Sequence, residues 1–159
     1  MTRTRIIDRQ LAYCALEKFL EQKKMRRTNE RSMILDQAIE MKGHFTIDEL
    51  CEQLENNAYH VSRATVYNTV QVLREAGLLR RHRFVGQPSQ YEIVVEAAQT
   101  NHHHLICQVC GKVKEIKDAA IDNHLRQTAY RGFHPEYFTL YVYGICSGCK
   151  RRKRSDAPK

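Results

Sequence analysis

The sequence predicts a mixed α/β fold of the α+β kind, with a winged helix-turn-helix domain first and a smaller α/β domain after it. Three observations carry that prediction. Four stretches of helical periodicity run as far as Ala76. A basic β-hairpin follows over residues 79–95. The remainder turns to short strands around two C-x-x-C pairs.

Ile7, Leu11, Cys14, Ala15 and Phe19 recur at helical spacing and predict the first helix. A basic segment, Lys23-Lys24-Met25-Arg26-Arg27, separates it from a second. Thr28 or Asn29 can cap that second helix, which carries Met33, Ile34, Ala38 and Met41 to a stop near Gly43. Thr46 with Glu49 three residues on forms a capping box, and Ile47, Leu50, Cys51 and Leu54 then fall at i, i+3, i+4 and i+7. Ser62 caps a fourth helix, Ser62 to Ala76, closed by Gly77. Leu79–Phe84 and Gln90–Val95 read as strands joined through Gly86-Gln87-Pro88-Ser89.

Helices followed by a basic hairpin are the pattern of a winged helix-turn-helix, whose second helix enters the major groove of DNA. On the fourth helix Val66, Val70 and Leu73 mark the core face. Arg63, Tyr67, Gln71 and Arg74 share another face, with the cations, amide and ring that contact bases and phosphates. An ordinary solvated helix presents such a face too. The adjoining Leu79-Arg80-Arg81-His82-Arg83 tips the balance towards nucleic acid.

Residues 102–107 and 112–116 read as strands flanking the first cysteine pair, and Ala119 to Tyr130 as a helix. Tyr137 to Tyr143 alternates Phe138, Leu140 and Val142 against Tyr137, Thr139, Tyr141 and Tyr143, a strand with an aliphatic and an aromatic–polar face. This second half is too small for a comfortable core of its own. It predicts a homodimer with sheets joined across a two-fold axis. The run Lys150-Arg151-Arg152-Lys153-Arg154 should be disordered in isolation. The expected boundaries are 1–95 for the winged-helix DNA-binding domain, 96–101 for a hinge, 102–149 for the dimerisation and zinc-binding domain, and 150–159 for a basic disordered tail.

Composition narrows the function. The 159 residues carry 26 Lys+Arg against 18 Asp+Glu, a formal charge of +8. The apolar runs fall short of the roughly 18 residues that span a bilayer, and MTRTRIIDRQ lacks the apolar centre of a secretory signal. The expected setting is therefore cytoplasmic, with double-stranded DNA rather than membrane as partner.

Six cysteines say more than the charge. Cys107/Cys110 and Cys146/Cys149 are two C-x-x-C pairs, four thiolates that match tetrahedral Zn²⁺. Gly111 permits the tight turn after the second of them. A redox dithiol is the competing reading, but neither pair stands in a clear βαβ context. Cys14 and Cys51 lie on apolar helical stripes and read as small buried hydrophobes. In His102-His103-His104, a strand directs His102 and His104 to one face, a pincer for a divalent metal. The absence of H-E-x-x-H, of a deaminase-like signature and of a general base argues against a zinc enzyme.

Four stretches together resemble the ferric uptake regulator (Fur) family of metal-dependent repressors: Ser62-Arg-Ala-Thr-Val-Tyr-Asn68, Ala76-Gly-Leu-Leu79, His102-His-His-Leu-Ile-Cys-Gln-Val-Cys-Gly-Lys112 and Leu140-Tyr-Val-Tyr-Gly-Ile-Cys146-Ser-Gly-Cys149. The similarity covers roughly residues 8–149. It implies a structural Zn²⁺ on Cys107, Cys110, Cys146 and Cys149. It also implies a regulatory site of His44, Glu92, His102, His104 and Glu115, whose mixed donors suit Fe²⁺, Mn²⁺ or Zn²⁺. DNA contact is expected from Arg63 and Tyr67, helped at the backbone by Arg27, Arg31, Arg80 and Arg81.

The departures are informative. At positions where many members have a further metal site, this chain has Asn101, His103, Asp122 and Phe138, so that site is expected to be absent or weak. His124 and His134 read as surface histidines. Asn68 is typical of peroxide sensors, yet Glu92 and Glu115 stand where those sensors favour Asp. The implied function is a metal-responsive dimeric regulator of A·T-rich palindromic operators, repressing metal-uptake or oxidative-stress genes. The alternative is a metal- or haem-binding regulator with altered or lost operator specificity.

Overall fold

A computed structural model describes residues 9–41, 43–94, 103–135 and 138–155. The chain divides into two compact units, Met1–Ala97 and Ala98–Lys159. The expected hinge at 96–101 lies outside the described residues.

Four helices build the first unit: α1 (Arg9–Gln22), α2 (Asn29–Glu40), α3 (Ile47–Asn56) and α4 (Arg63–Glu75). Each of the last three begins at a hydroxyl that accepts from the first turn. Thr28 caps α2, Ser62 caps α4, and Thr46 and Glu49 form a reciprocal capping box on α3. Leu50, Cys51 and Leu54 of α3, Val66, Val70 and Leu73 of α4, and Ile34, Leu35 and Ala38 of α2 merge into one buried cluster. Burying each Leu, Ile or Val contributes roughly 1.5–3 kcal/mol, which makes this cluster the main source of the unit's stability.

The first helix buries a different face from the one its sequence predicts. Ala12, Leu16 and Leu20 point inward, while Leu11 and Cys14 are exposed. Cys14 is two residues from both Ala12 and Leu16, roughly 200° around the helix from each. It is therefore not a core residue, unlike Cys51, which is buried.

The wing is the antiparallel pair β1 (Leu79–His82) and β2 (Gln90–Ile93), with Arg80 opposite Glu92 and His82 opposite Gln90. Both strands are shorter than the sequence pattern suggests. A third segment joins them. Phe45 pairs with Tyr91 through Phe45 N–H to Tyr91 O at 2.9 Å and Tyr91 N–H to Phe45 O at 2.7 Å. Side chains alternate across a strand, so this sheet has two distinct faces. Phe45, Leu79, Tyr91 and Ile93 join the apolar core. His44, Arg80, His82 and Glu92 occupy the other face.

The second unit holds a three-stranded sheet in the order β4-β3-β5, where β3 is His103–Cys107, β4 is Val113–Ile116 and β5 is Tyr141–Gly144. β4 runs antiparallel to β3 and β5 runs parallel to it. Helix α5 (Ala119–Gln127) is capped by the Asp118 carboxylate, which accepts from Ala120 N at 2.9 Å and Ile121 N at 3.2 Å. It stops at Gln127 rather than continuing to Tyr130, with Thr128 as its C-cap. Residues 138–140 are not strand either.

The basic tail also departs from expectation. Ser147–Ser155 form helix α6, so residues 150–155 are ordered as helix; residues 156–159 lie outside the described residues. The Cys146–Cys149 turn starts the helix, with Lys150 N–H donating to Cys146 O at 2.9 Å. Lys and Arg are good helix formers, and cations are favoured towards a helix C-terminus. Those local terms outweigh the like-charge repulsion that suggested disorder.

Candidate functional site

Two side-chain clusters carry the chemistry. In the second unit, the sulfurs of Cys107, Cys110, Cys146 and Cys149 all lie within 4.8 Å of one another. The parallel pairing of β3 with β5 sets Cys107 opposite Gly144, which carries Cys146 and Cys149 to the same end of the sheet. Gly111, at φ 70°, turns the chain after Cys110 and donates its N–H to Cys107 O at 2.9 Å. Four sulfurs bound tetrahedrally at about 2.3 Å lie about 3.8 Å apart. The separation of Cys110 Sγ from Cys146 Sγ is 3.8 Å.

Backbone amides favour the thiolate form here. The Cys107 thiol is lowered to about 6, first by the Cys146 N–H donating to its sulfur at 3.3 Å and then by the Cys110 N–H. Cys146 is lowered in turn, chiefly by the Cys149 N–H. Cys149 is pushed up to about 12 by hydrogen bonds with Cys110 and Cys146. A cluster in which the last thiol resists ionisation beside its neighbours is one that a divalent cation completes.

The second cluster lies on the polar face of the wing. Pairing of Phe45 with Tyr91 puts His44 opposite Glu92, and His44 Nε2 lies 3.5 Å from Glu92 Oε2. His82 Nε2 lies 3.2 Å from the other carboxylate oxygen, Oε1. Arg80 Nη1 approaches the same Oε1 at 3.6 Å. His82 is 0% and Glu92 2% exposed. Phe84 backs the two imidazoles, stacked on His82 and edge-on to His44, both at 5.8 Å. The two histidine rings meet edge to face at 4.9 Å.

The remaining expected ligands belong to the second unit. His104 is fully buried on β3 and stacks on Tyr141 at 5.4 Å. Glu115 is its register partner on β4 and is exposed. His102 lies outside the described residues. His82 is the residue that sequence reasoning passed over, because it sits within a run of arginines that reads as surface charge. The signal that finds it is the hairpin register, which places residues 80 and 82 on the same face as Glu92.

Residues 22–143 match the ferric uptake regulator family. The chain belongs to that family. It is 30% identical over 135 residues to the peroxide operon regulator of Bacillus subtilis, covering 84% of this chain and 90% of the relative. The Vibrio cholerae ferric uptake regulator (Fur) matches in structure with a TM-score of 0.64 and 28% identity, over 82% of this chain and 98% of that one. The Pseudomonas aeruginosa regulator, solved with manganese, matches with a TM-score of 0.70 and 26% identity, over 82% and 97%.

Members of the Fur family are metal-responsive transcription regulators rather than enzymes, and double-stranded DNA and a second copy of the chain are their partners. The Pseudomonas aeruginosa relative is solved with manganese and a manganese uptake regulator is solved zinc-bound, and both clusters above have donor sets that suit divalent metals of this kind. Among the described residues, no helix is long and apolar enough to cross a membrane.

In this Fur-family chain the expected DNA-contact residues are not equivalent. Arg63 and Tyr67 are exposed on α4, with Arg63 held by an ion pair to Asp48. Exposed Arg27 pairs with Glu17, and Arg31 donates to the carbonyl of Arg26. Arg81 is exposed and donates to Ser89 Oγ at 3.0 and 2.8 Å. The Arg80 side chain is only 19% exposed and faces Glu92.

His103 Nδ1 accepts from Leu140 N–H at 3.3 Å, and its Nε2 lies 3.4 Å from Asp122 Oδ1. Among the described residues no group of three metal donors includes that pair. Phe138 packs near Tyr130 instead, and His124 and His134 are exposed.

Proposed function

We propose that this protein is a cytoplasmic, dimeric repressor that binds A·T-rich palindromic operators when a regulatory metal is held between its two units. His44 and Glu92 of the wing unit would supply one half of the site. His104, with His102 and Glu115, would supply the other. The Cys107, Cys110, Cys146 and Cys149 cluster would hold structural zinc. The observation that carries the reading is the pairing of Phe45 with Tyr91, which sets a histidine and a buried carboxylate face to face on the polar side of the wing sheet.

The metal would supply a cationic tie between donors on separate units. Tying them would hold the two α4 helices of the dimer at the spacing of successive major grooves, about 34–36 Å. Arg63 and Tyr67 would then reach base edges, with the Tyr67 ring against a thymine methyl. The exposed arginines would contact phosphates and set the salt dependence. By linkage, DNA would tighten metal binding as much as metal tightens DNA binding.

The dimer is supported by β5. It is an edge strand of its sheet as described, and its aliphatic side is the outer one: Val142 is 42% exposed, and Leu140 just before the strand 38%, while Tyr141 and Tyr143 are half-buried. Selection from random duplexes tests the reading. An A·T-rich inverted repeat should be enriched with Mn²⁺, Fe²⁺ or Zn²⁺ present and not after chelation of the regulatory site. Enrichment of no motif under any metal would instead favour a regulator without specific operator recognition.

A further inference from the structure

We propose that His82 is itself a metal ligand, so that the wing unit contributes three donors to the regulatory site: His44, His82 and Glu92. This rests on the reading above that His44 and Glu92 bind the regulatory metal. It adds a residue that lies in a basic run and outside the motifs that suggested the site.

Three observations carry it. First, β1–β2 pairing places Arg80 opposite Glu92, and His82 is two residues on, so its imidazole shares the face of the carboxylate. Second, each imidazole nitrogen lies near ligand spacing from one oxygen of the Glu92 carboxylate, His82 from Oε1 and His44 from Oε2. Nitrogen and oxygen bound tetrahedrally at about 2.0–2.1 Å lie about 3.3 Å apart. His82 Nε2 to Glu92 Oε1 is 3.2 Å, and His44 Nε2 to Glu92 Oε2 is 3.5 Å. Both imidazoles therefore present Nε2 to the carboxylate, and the three ligand atoms lie within 4.8 Å of one another. Third, His82 is 0% exposed, and Phe84 stacks on its ring at 5.8 Å with an interplanar angle of 13°. That contact restricts how the imidazole can turn.

The consequence is a change of coordination chemistry. With His82 included, the wing alone offers two imidazoles and one carboxylate. One more histidine completes a four-donor set of the kind that tetrahedral Zn²⁺ and Co²⁺ accept. Exposed Glu115 is then not required.

Co²⁺ is the probe, titrated into the full-length dimer with zinc retained at the cysteine cluster. Its visible absorption is strong when four-coordinate and weak when six-coordinate. The wild type should bind one further Co²⁺ with the strong spectrum. His82→Gln keeps an amide that can donate to Glu92 but removes the imidazole. It should weaken Zn²⁺ binding, read by competition with a chelating dye, by more than about 100-fold, beyond the cost of losing an outer partner. His82→Cys, which puts a sulfur donor in the same place, should add a thiolate-to-cobalt charge-transfer band in the near ultraviolet. Retained cysteine-site zinc and an unchanged thermal transition show that each variant is folded.

An unchanged cobalt spectrum and a loss under about 100-fold in His82→Gln, with no charge-transfer band in His82→Cys, would overturn the proposal. If His44→Ala and Glu92→Gln abolish binding in the same experiment, the regulatory site stands and only the role of His82 is withdrawn. If they too leave binding intact, the site itself has been placed wrongly.

Discussion

Leu16, Ile34, Leu35, Leu50, Leu54, Val66, Val70 and Leu73 of the first unit form a continuous buried cluster. The second unit buries, among its described apolar side chains, Ile106, Cys107 and Cys149, and leaves Phe133, Leu140, Val142 and Ile145 exposed. Helix α3 buries Ile47, Leu50, Cys51 and Leu54, whereas helix α5, of similar length, buries none of its residues. The two halves are therefore held together by different physics. Hydrophobic burial is sufficient for the first. Among its described residues the second is short of apolar core, and on the reading proposed above it would depend on metal at the four cysteines and on a partner to cover its sheet.

Removing the metal should separate the units most sharply. Cys107→Ser, or stripping the cysteine site with a strong chelator, forfeits a binding free energy of about 10–16 kcal/mol. Amide exchange should then show protection lost across residues 103–155 and retained in α3 and α4. Equal loss of protection in both units would show that the first also depends on the zinc. The converse is a core truncation. Leu50 is 0% exposed, so Leu50→Ala should lower the stability of the first unit by about 2–5 kcal/mol, measured by denaturant unfolding followed through helical circular dichroism. Bound zinc should stay unchanged.

Val142→Lys addresses the partner rather than the metal. It places a charge on the aliphatic face of β5 and should weaken the dimer by roughly 2–4 kcal/mol, seen as dissociation in sedimentation velocity with the zinc site intact. The smallest effect is a pH dependence confined to the first unit. The Tyr13 hydroxyl is raised to about 12, first by burial and then by its 2.7 Å hydrogen bond to Asp36. Its raised pKa favours the neutral phenol in the folded state. That stability is fully present below the unfolded value near 10 and is lost as pH rises through about 12. Tyr13→Phe should remove that part of the alkaline decline in thermal stability.

The same contrast explains what could be read in the sequence. Helices α2 to α4 were legible because their caps and core stripes are local: Thr46, Glu49, Leu50 and Leu54 sit within one helix and specify it together. The clustering of Cys107, Cys110, Cys146 and Cys149 was legible because each pair carries its own spacing. Cys14 misled because several phases of α1 are apolar, and only packing decides that Ala12, Leu16 and Leu20 face inward. His82 and Arg80 were illegible as site residues because cross-strand register, not sequence spacing, brings them to Glu92. The basic tail misled because its helix begins in the Cys146–Cys149 turn, a constraint that composition does not express.

On the proposed function, metal held by His44, Glu92 and His104 controls DNA binding. Fluorescence anisotropy of a labelled duplex carrying the selected inverted repeat tests it most directly, at fixed salt, with zinc kept in the cysteine site and a second divalent metal added or withheld. The wild type should bind about 5–150-fold tighter with the metal, a coupling of about 1–3 kcal/mol. His44→Ala and His104→Ala should remain dimeric and show no difference. Equal affinity of the wild type with and without the metal would contradict the account.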